Sequence, residues 1–303
     1  MSEFAKNGKE SIGAVIDGAR EELISLSHKI HDNPELGFQE YKAVEFIAEV
    51  LNCHGFEVET GYCGVPTSFM AVKKGKEPGP VVAFLAEYDA LRGVGHGCGH
   101  NVIATCATGA FLGLASQMEN LSGEIRLIGT PAEEGGAGKV VLLEKGAFDG
   151  VDFALMMHPT GGGEAYNYIN RGGRASGSLT VTFYGKAAHS SVPARGINAL
   201  NAAISVFNQI DMLRPNFETQ DNINGVILEG GVAGNIIPER AKCEFCLRAA
   251  TMKRIEEMLE MIKGCVRRAE ELTGAKAELE SEPIYAERYP CLPMCEAFKE
   301  NMA

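Results

Sequence analysis

The run VVAFLAEYDAL, Val81 to Leu91, is apolar for six residues and then turns acidic, and it soon empties into GHGCGHN, Gly95 to Asn101, where two histidines and a cysteine stand among glycines. A strand that apolar is covered on both faces, which places it inside a sheet. The glycines let the chain double back tightly. NVIATCATGAFLGLASQM then has the length and spacing of a helix, EIRLIGTP reads as a strand, GKVVLLEKGAF as a helix and VDFALMMHP as another strand. Strand, helix, strand, helix, strand predicts an α/β domain: a largely parallel sheet with helices on both faces. Upstream, helical spacing runs from about Ile12 to Ile30 and resumes from Glu40 to Asn52, with DNPELG breaking it, and FEVET and TSFMAVKK are further strands.

Past RGGRASG, a Gly-rich stretch suited to a hinge, the character changes. SLTVTFYG alternates as a half-exposed strand, INALNAAISVFNQIDML is a helix, NGVILEGG and ERAKCEFCLRA are strands, TMKRIEEMLEMIKGCVRRAEELTG is a long helix and AKAELESEP a last strand. Strands of antiparallel type with two helices predict a smaller α+β domain. A short helical tail, LPMCEAFKENMA, follows.

A chain of 303 residues can bury a large core, and two domains are the better expectation. The net charge of -12 comes without long single-sign runs, which argues against nucleic acid or an anionic membrane as partner. No stretch is apolar enough to span a bilayer, and MSEFAKNGKE lacks the order of a secretion signal, so the expected location is cytoplasmic. Nine cysteines in such a chain predict reduced thiols, most of them small core residues. Cys243 and Cys246 form a CEFC pair, but strand alternation and the lack of a second pair speak against a zinc knuckle.

In open α/β sheets ligands bind beyond the carboxyl ends of the strands. Glu87, Asp89, His96, Cys98 and His100 follow the first central strand, Glu133 and Glu134 the second, and His158 the third. Imidazole, thiolate and carboxylate together suit zinc, manganese or cobalt better than magnesium. The neighbours Glu133 and Glu134 point in different directions, so one can ligate while the other carries a proton between water and a leaving amine. The competing chemistry is a Cys98 nucleophile with His100 as base, which leaves the paired glutamates and His158 without a task.

Taken in order, DNPELGFQEY, AEYDAL, GHGCGHN, TPAEEGGAGK, the MMHP strand end, GKAAHSSVPARGINAL and GGVAGNIIPERA resemble the zinc aminoacylase, hippurate hydrolase and carboxypeptidase metallopeptidases, in the branch of the p-aminobenzoyl-glutamate hydrolases and related dipeptidases. The resemblance implies a catalytic domain over residues 1–172, a lid and dimerisation domain over 173–284, and over 285–303 the start of a return to the catalytic domain. It implies two divalent metal ions, zinc before manganese or cobalt, held by Cys98, His100, Glu134 and His158, with Glu133 as general base and Asp89 orienting a ligand. Relatives outside the branch carry a metal-binding histidine at the position of Glu87. His189 is implied to stabilise the oxyanion in a neighbouring subunit and Asn235 to bind substrate, an N-acyl amino acid or a small dipeptide, in a homodimer. The family supplies a late histidine ligand, and this sequence has none after His189; the expectation is a shortened hydrolase or, alternatively, a catalytically silent dimerising or binding subunit.

Overall fold

Helical spacing becomes helix and alternation becomes strand through most of the chain, and the tertiary arrangement decides what these elements face. The computed structural model describes residues 3–160, 169 and 172–302. The chain divides into two units, Met1–Tyr166 and Asn167–Ala303.

The first unit comprises α1 (Glu3–Gly18), α2 (Arg20–Asp32), α3 (Tyr41–Cys53), β1 (Val58–Thr60), β2 (Phe69–Lys74), β3 (Val81–Ala86), α4 (His100–Ala115), β4 (Glu124–Gly129), α5 (Gly138–Glu144) and β5 (Phe153–Leu155). The single helix expected over Ile12–Ile30 is two, parted at Ala19 after the weak helix former Gly18, although Ala19 N–H still bonds to Val15 O. The sheet order is β1-β2-β4-β3-β5. β4, β3 and β5 run parallel, while β2 lies antiparallel to β4 and β1 to β2, so the sheet is mixed. The turn after β2 crosses the start of β4, with Gly75 N–H bonded to Gly123 O and Lys76 N–H to Leu121 O, and this inserts β4 between two strands that are consecutive in sequence.

β3 is central, as its apolar run requires. α4 is buried nearly all round, with Ala104, Ala107, Phe111 and Leu112 in the same core as Leu26, Ile47, Leu51, Phe69 and Leu127. A helix apolar on every side belongs in an interior. α5 heads a separate small cluster built from Leu142, Ala147 and Val65.

The second unit comprises β6 (Ala175–Tyr184), α6 (Ala199–Leu213), β7 (Asn222–Glu229), β8 (Arg240–Ala249), α7 (Met252–Thr273), β9 (Lys276–Glu280) and α8 (Leu292–Met302). Its sheet, β7-β8-β6-β9, is wholly antiparallel. Leu179, Val181 and Phe183 of β6 and Cys243, Phe245 and Leu247 of β8 form one core with Val206 of α6 and Ile255, Met258 and Ile262 of α7. Cys246, three positions from Cys243, falls on the other face and is exposed, as the alternation of a strand demands. Tyr285 and Arg288, in the tail, bridge back to Ser176 and Gly173. The stretch expected to be a hinge begins at Arg171, outside the described residues, and its end enters β6. Among the described residues no helix is long and apolar enough to cross a membrane.

Candidate metal centre

Because β3, β4 and β5 are parallel, the loops that follow them leave from one edge of the sheet. Glu87, Tyr88 and Asp89 follow β3 directly, Thr130 to Lys139 link β4 to the start of α5, and His158 lies just past β5. His100 opens α4, preceded by Gly99 at φ 77°; a Cβ there would also stand 2.7 Å from Pro159 Cγ, so only glycine fits the turn.

His100 is the hub, 1% exposed. Its Nδ1 lies 2.9 Å from both the backbone oxygen and Oδ1 of Asp89. With Nδ1–H donated to Asp89, Nε2 keeps a lone pair, and it stands 3.4 Å from Glu87 Oε2, 3.8 Å from Glu134 Oε1 and 3.9 Å from Glu133 Oε2. A carboxylate holding the far nitrogen of an imidazole is the usual support for a metal-binding histidine. The other Asp89 oxygen accepts Glu134 N–H at 2.8 Å, which ties the second loop to the first. Ligand atoms of Glu87, His100 and His158 come within 4.8 Å of one another, and so do those of His100, Glu133 and Glu134. The His158 ring stands edge-on to His100 with centroids 5.8 Å apart.

Three buried atoms here, His100 Nε2, Glu87 Oε2 and Glu134 Oε1, have no hydrogen-bond partner. Unpartnered buried polar atoms are costly, and a cation among them satisfies all three, so this donor set fits a divalent metal. The negative charge gathered around the ring leans the same way. Burial pulls the His100 pKa down, but the Asp89 hydrogen bond and the charges of Glu87, Asp89 and Glu133 outweigh it and lift it above the ordinary value. Burial alone would raise Asp89, yet the His100 ring and the Glu134 amide hold it below the usual carboxylate range. Glu133 is raised, first by burial and then by the Glu87 charge, with Lys139 pulling the other way. A carboxyl lifted towards neutrality is suited to carrying a proton.

Cys98 is in neither ligand group. The Glu134 carboxylate beside its thiol, with burial and the charges of Glu133 and Asp89, pushes its pKa up to about 11. Glu87 was left open by sequence reasoning, and the structure puts it inside the cluster with Lys139 ion-paired to its other oxygen. The lysine of GGAGK was missed altogether; its signal was a lone cation in a loop of carboxylates. His96 joins neither group and faces His31 instead, ring centroids 6.3 Å apart.

In the second unit the structure brings His189 and Asn235 together. His189 pairs with Ile236 in an isolated bridge, and Ser190 N–H donates to Asn235 O at 3.0 Å. The exposed His189 ring accepts Ser191 N–H at Nδ1, at 3.2 Å, which leaves Nε2–H facing outward as a donor.

Residues 171–272 match the peptidase dimerisation domain of the M20 family. The Xaa-Arg dipeptidase of Mus musculus is 36% identical over 301 residues, which cover 94% of this chain and 69% of that protein. A p-aminobenzoyl-glutamate hydrolase component from Escherichia coli is 30% identical over 274 residues, 83% of this chain and 56% of that protein. An aminobenzoyl-glutamate utilization protein from Klebsiella pneumoniae shares the fold with a TM-score of 0.77 at 21% identity, covering 95% of this chain and 82% of that one. The chain belongs to the M20 peptidase family and is a hydrolase.

Proposed function

We propose that the chain hydrolyses the amide bond of a dipeptide or N-acyl amino acid at the edge of the first unit, with the second unit serving as lid and dimerisation domain. The observation that carries this reading is the convergence of three buried, unpartnered ligand atoms beside the raised carboxyl of Glu133. His100, Glu134, His158 and Cys98 would hold two divalent ions, zinc first and manganese or cobalt as alternatives, with Glu87 completing the set. Bound divalent ions supply the positive charge that polarises the scissile carbonyl and acidifies a water. Glu133 takes the proton of that water and returns it to the leaving amine. Asp89 keeps the His100 ring in one tautomer and one orientation. Cys98 would join the ligands as a thiolate, its proton passing to solvent on binding.

His189 donates from Nε2 to the oxyanion in a partner subunit, and Asn235, held against it, contacts substrate. Homodimerisation has support in the exposed apolar row Val226, Ile227 and Leu228 on the edge strand β7. The names of the relatives set the substrate panel: Xaa-Arg dipeptides first, then p-aminobenzoyl-glutamate. Amine release from these, measured with added zinc, manganese or cobalt and with a chelator, tests the proposal. Turnover that the chelator abolishes is the expected result; turnover untouched by chelator sinks the metal mechanism, and silence across the panel in folded protein sinks the substrate reading.

A further inference from the structure

The segment DNPELGFQE, Asp32 to Glu40, runs from the last residue of α2 to the start of α3 and has no place in the chemistry above. Its contacts are with the loops that carry the site. Glu35 O accepts Ala90 N–H at 2.8 Å, next to Asp89. Gly37 lies against the loop after β4 so closely that a Cβ would stand 2.7 Å from Gly135 O and 2.9 Å from Ala132 Cβ. Phe38, at φ 61°, lays its ring on Gly136. Glu40, fully buried, accepts Ala132 N–H at 2.8 Å.

Ala132 is the residue before Glu133, and its φ of 55° lies in the left-handed region that residues with a Cβ avoid. Such a conformation persists only where the surroundings over-determine it. Here Thr130 N–H is tied to Ala86 O on one side and Gly138 N–H to Ala132 O on the other, and the Glu40 carboxylate holds the amide between them. Burying a whole carboxyl is costly, and a position with only packing to do is better served by an apolar side chain.

We propose that residues 35–40 form a buttress that aims the twin glutamates, with Glu40 as the positioning residue that pins Ala132 in its left-handed turn and so fixes Glu133 and Glu134 relative to Asp89. The inference rests on the metal-centre reading of those glutamates, and the test separates the two.

The readouts are amide hydrogen exchange across residues 131–137 in the metal-free chain and the affinity and visible spectrum of bound Co²⁺. Glu40→Leu removes the acceptor, Glu40→Gln keeps a carbonyl oxygen for Ala132 N–H, and Leu51→Ala, in the core of α3, is a stability control. Glu40→Leu is expected to speed exchange across the turn about ten-fold. It is also expected to weaken cobalt binding by about 10–100-fold and shift the spectrum. Glu40→Gln should stay close to the parent on both counts, and Leu51→Ala should lower the melting temperature while moving neither. Gly37→Ala presses on the same turn with Glu40 intact and is expected to act in the same direction, which keeps the test decisive should Glu40→Leu not fold. Unchanged exchange and cobalt affinity in Glu40→Leu, or equal changes in Leu51→Ala, would overturn the proposal. A parent chain that binds no cobalt sinks the metal reading instead, and the exchange data alone then decide the buttress.

Discussion

The two units keep their polar groups in opposite ways. Among the described residues, Glu40, Glu87, Asp89, His100, Asn101 and four threonine or serine residues are buried in the first unit, whereas Thr182 is the buried polar residue of the second. The second unit covers the Asp221 side chain against Arg254, ion-paired at 2.7 Å through Oδ2, while its Oδ1 stays without a hydrogen-bond partner. The first unit instead gathers Glu87, Glu133 and Glu134 around one imidazole and leaves ligand atoms unpartnered. Packing alone never favours such a cluster. The first unit thus carries a polar cluster that a bound cation would relieve, and the second has no such cluster among its described residues.

The strongest way to break this contrast is to change the proposed proton carrier without touching the proposed ligands. Glu133→Gln is expected to lower kcat by about 10³-fold with metal content unchanged, read by steady-state kinetics beside elemental analysis. Survival of turnover would remove Glu133 from its proposed role. Next, a core deletion should act where the packing is apolar. Leu179→Ala, 1% exposed in β6, is expected to destabilise the second unit by about 3 kcal/mol in denaturant melts and to leave metal affinity at the first unit unchanged.

Metal removal should do the reverse. With free metal at about 100 times its dissociation constant, linkage gives about 2.7 kcal/mol, and a chelator is expected to take that from the first unit's transition and leave the second's in place. Both transitions moving together would mean that the units do not divide the work as described. The smallest effect sharpens the picture of the second unit's local design. Thr251 caps α7 through its side chain on Arg254 N–H, and Gly274 at φ 78° ends the same helix, so Thr251→Ala is expected to cost about 1 kcal/mol and Thr251→Ser to restore most of it.

Much of this was open to reading in the chain itself. FEVET, VVAFLA, EIRLIG and AKCEFCLRA declare strands by apolar runs or alternation, and the long α7 declares itself by an amphipathic period and a terminal glycine. His100, Glu133, Glu134 and His158 could be picked out because each follows an apolar strand, where a sheet presents its ligands. The antiparallel setting of β2 was hidden, because strand direction depends on which neighbours pair, and VVAFLA looks the same beside either kind. Glu40 was hidden for a similar reason: at the start of a helix it has the look of a solvated acid, and only its bond to Ala132, 92 positions away, shows it is buried.

The amino-acid order by itself set the elements and the residue types at their ends, since periodicity and turn chemistry act over a few residues and need no distant partner. Which atoms meet was decided by the tertiary structure. Glu87 finding Lys139 and Asp89 accepting the Glu134 amide both join segments far apart in the chain. The burial and charge that tune those groups exist only once the sheet has brought its loops to one edge.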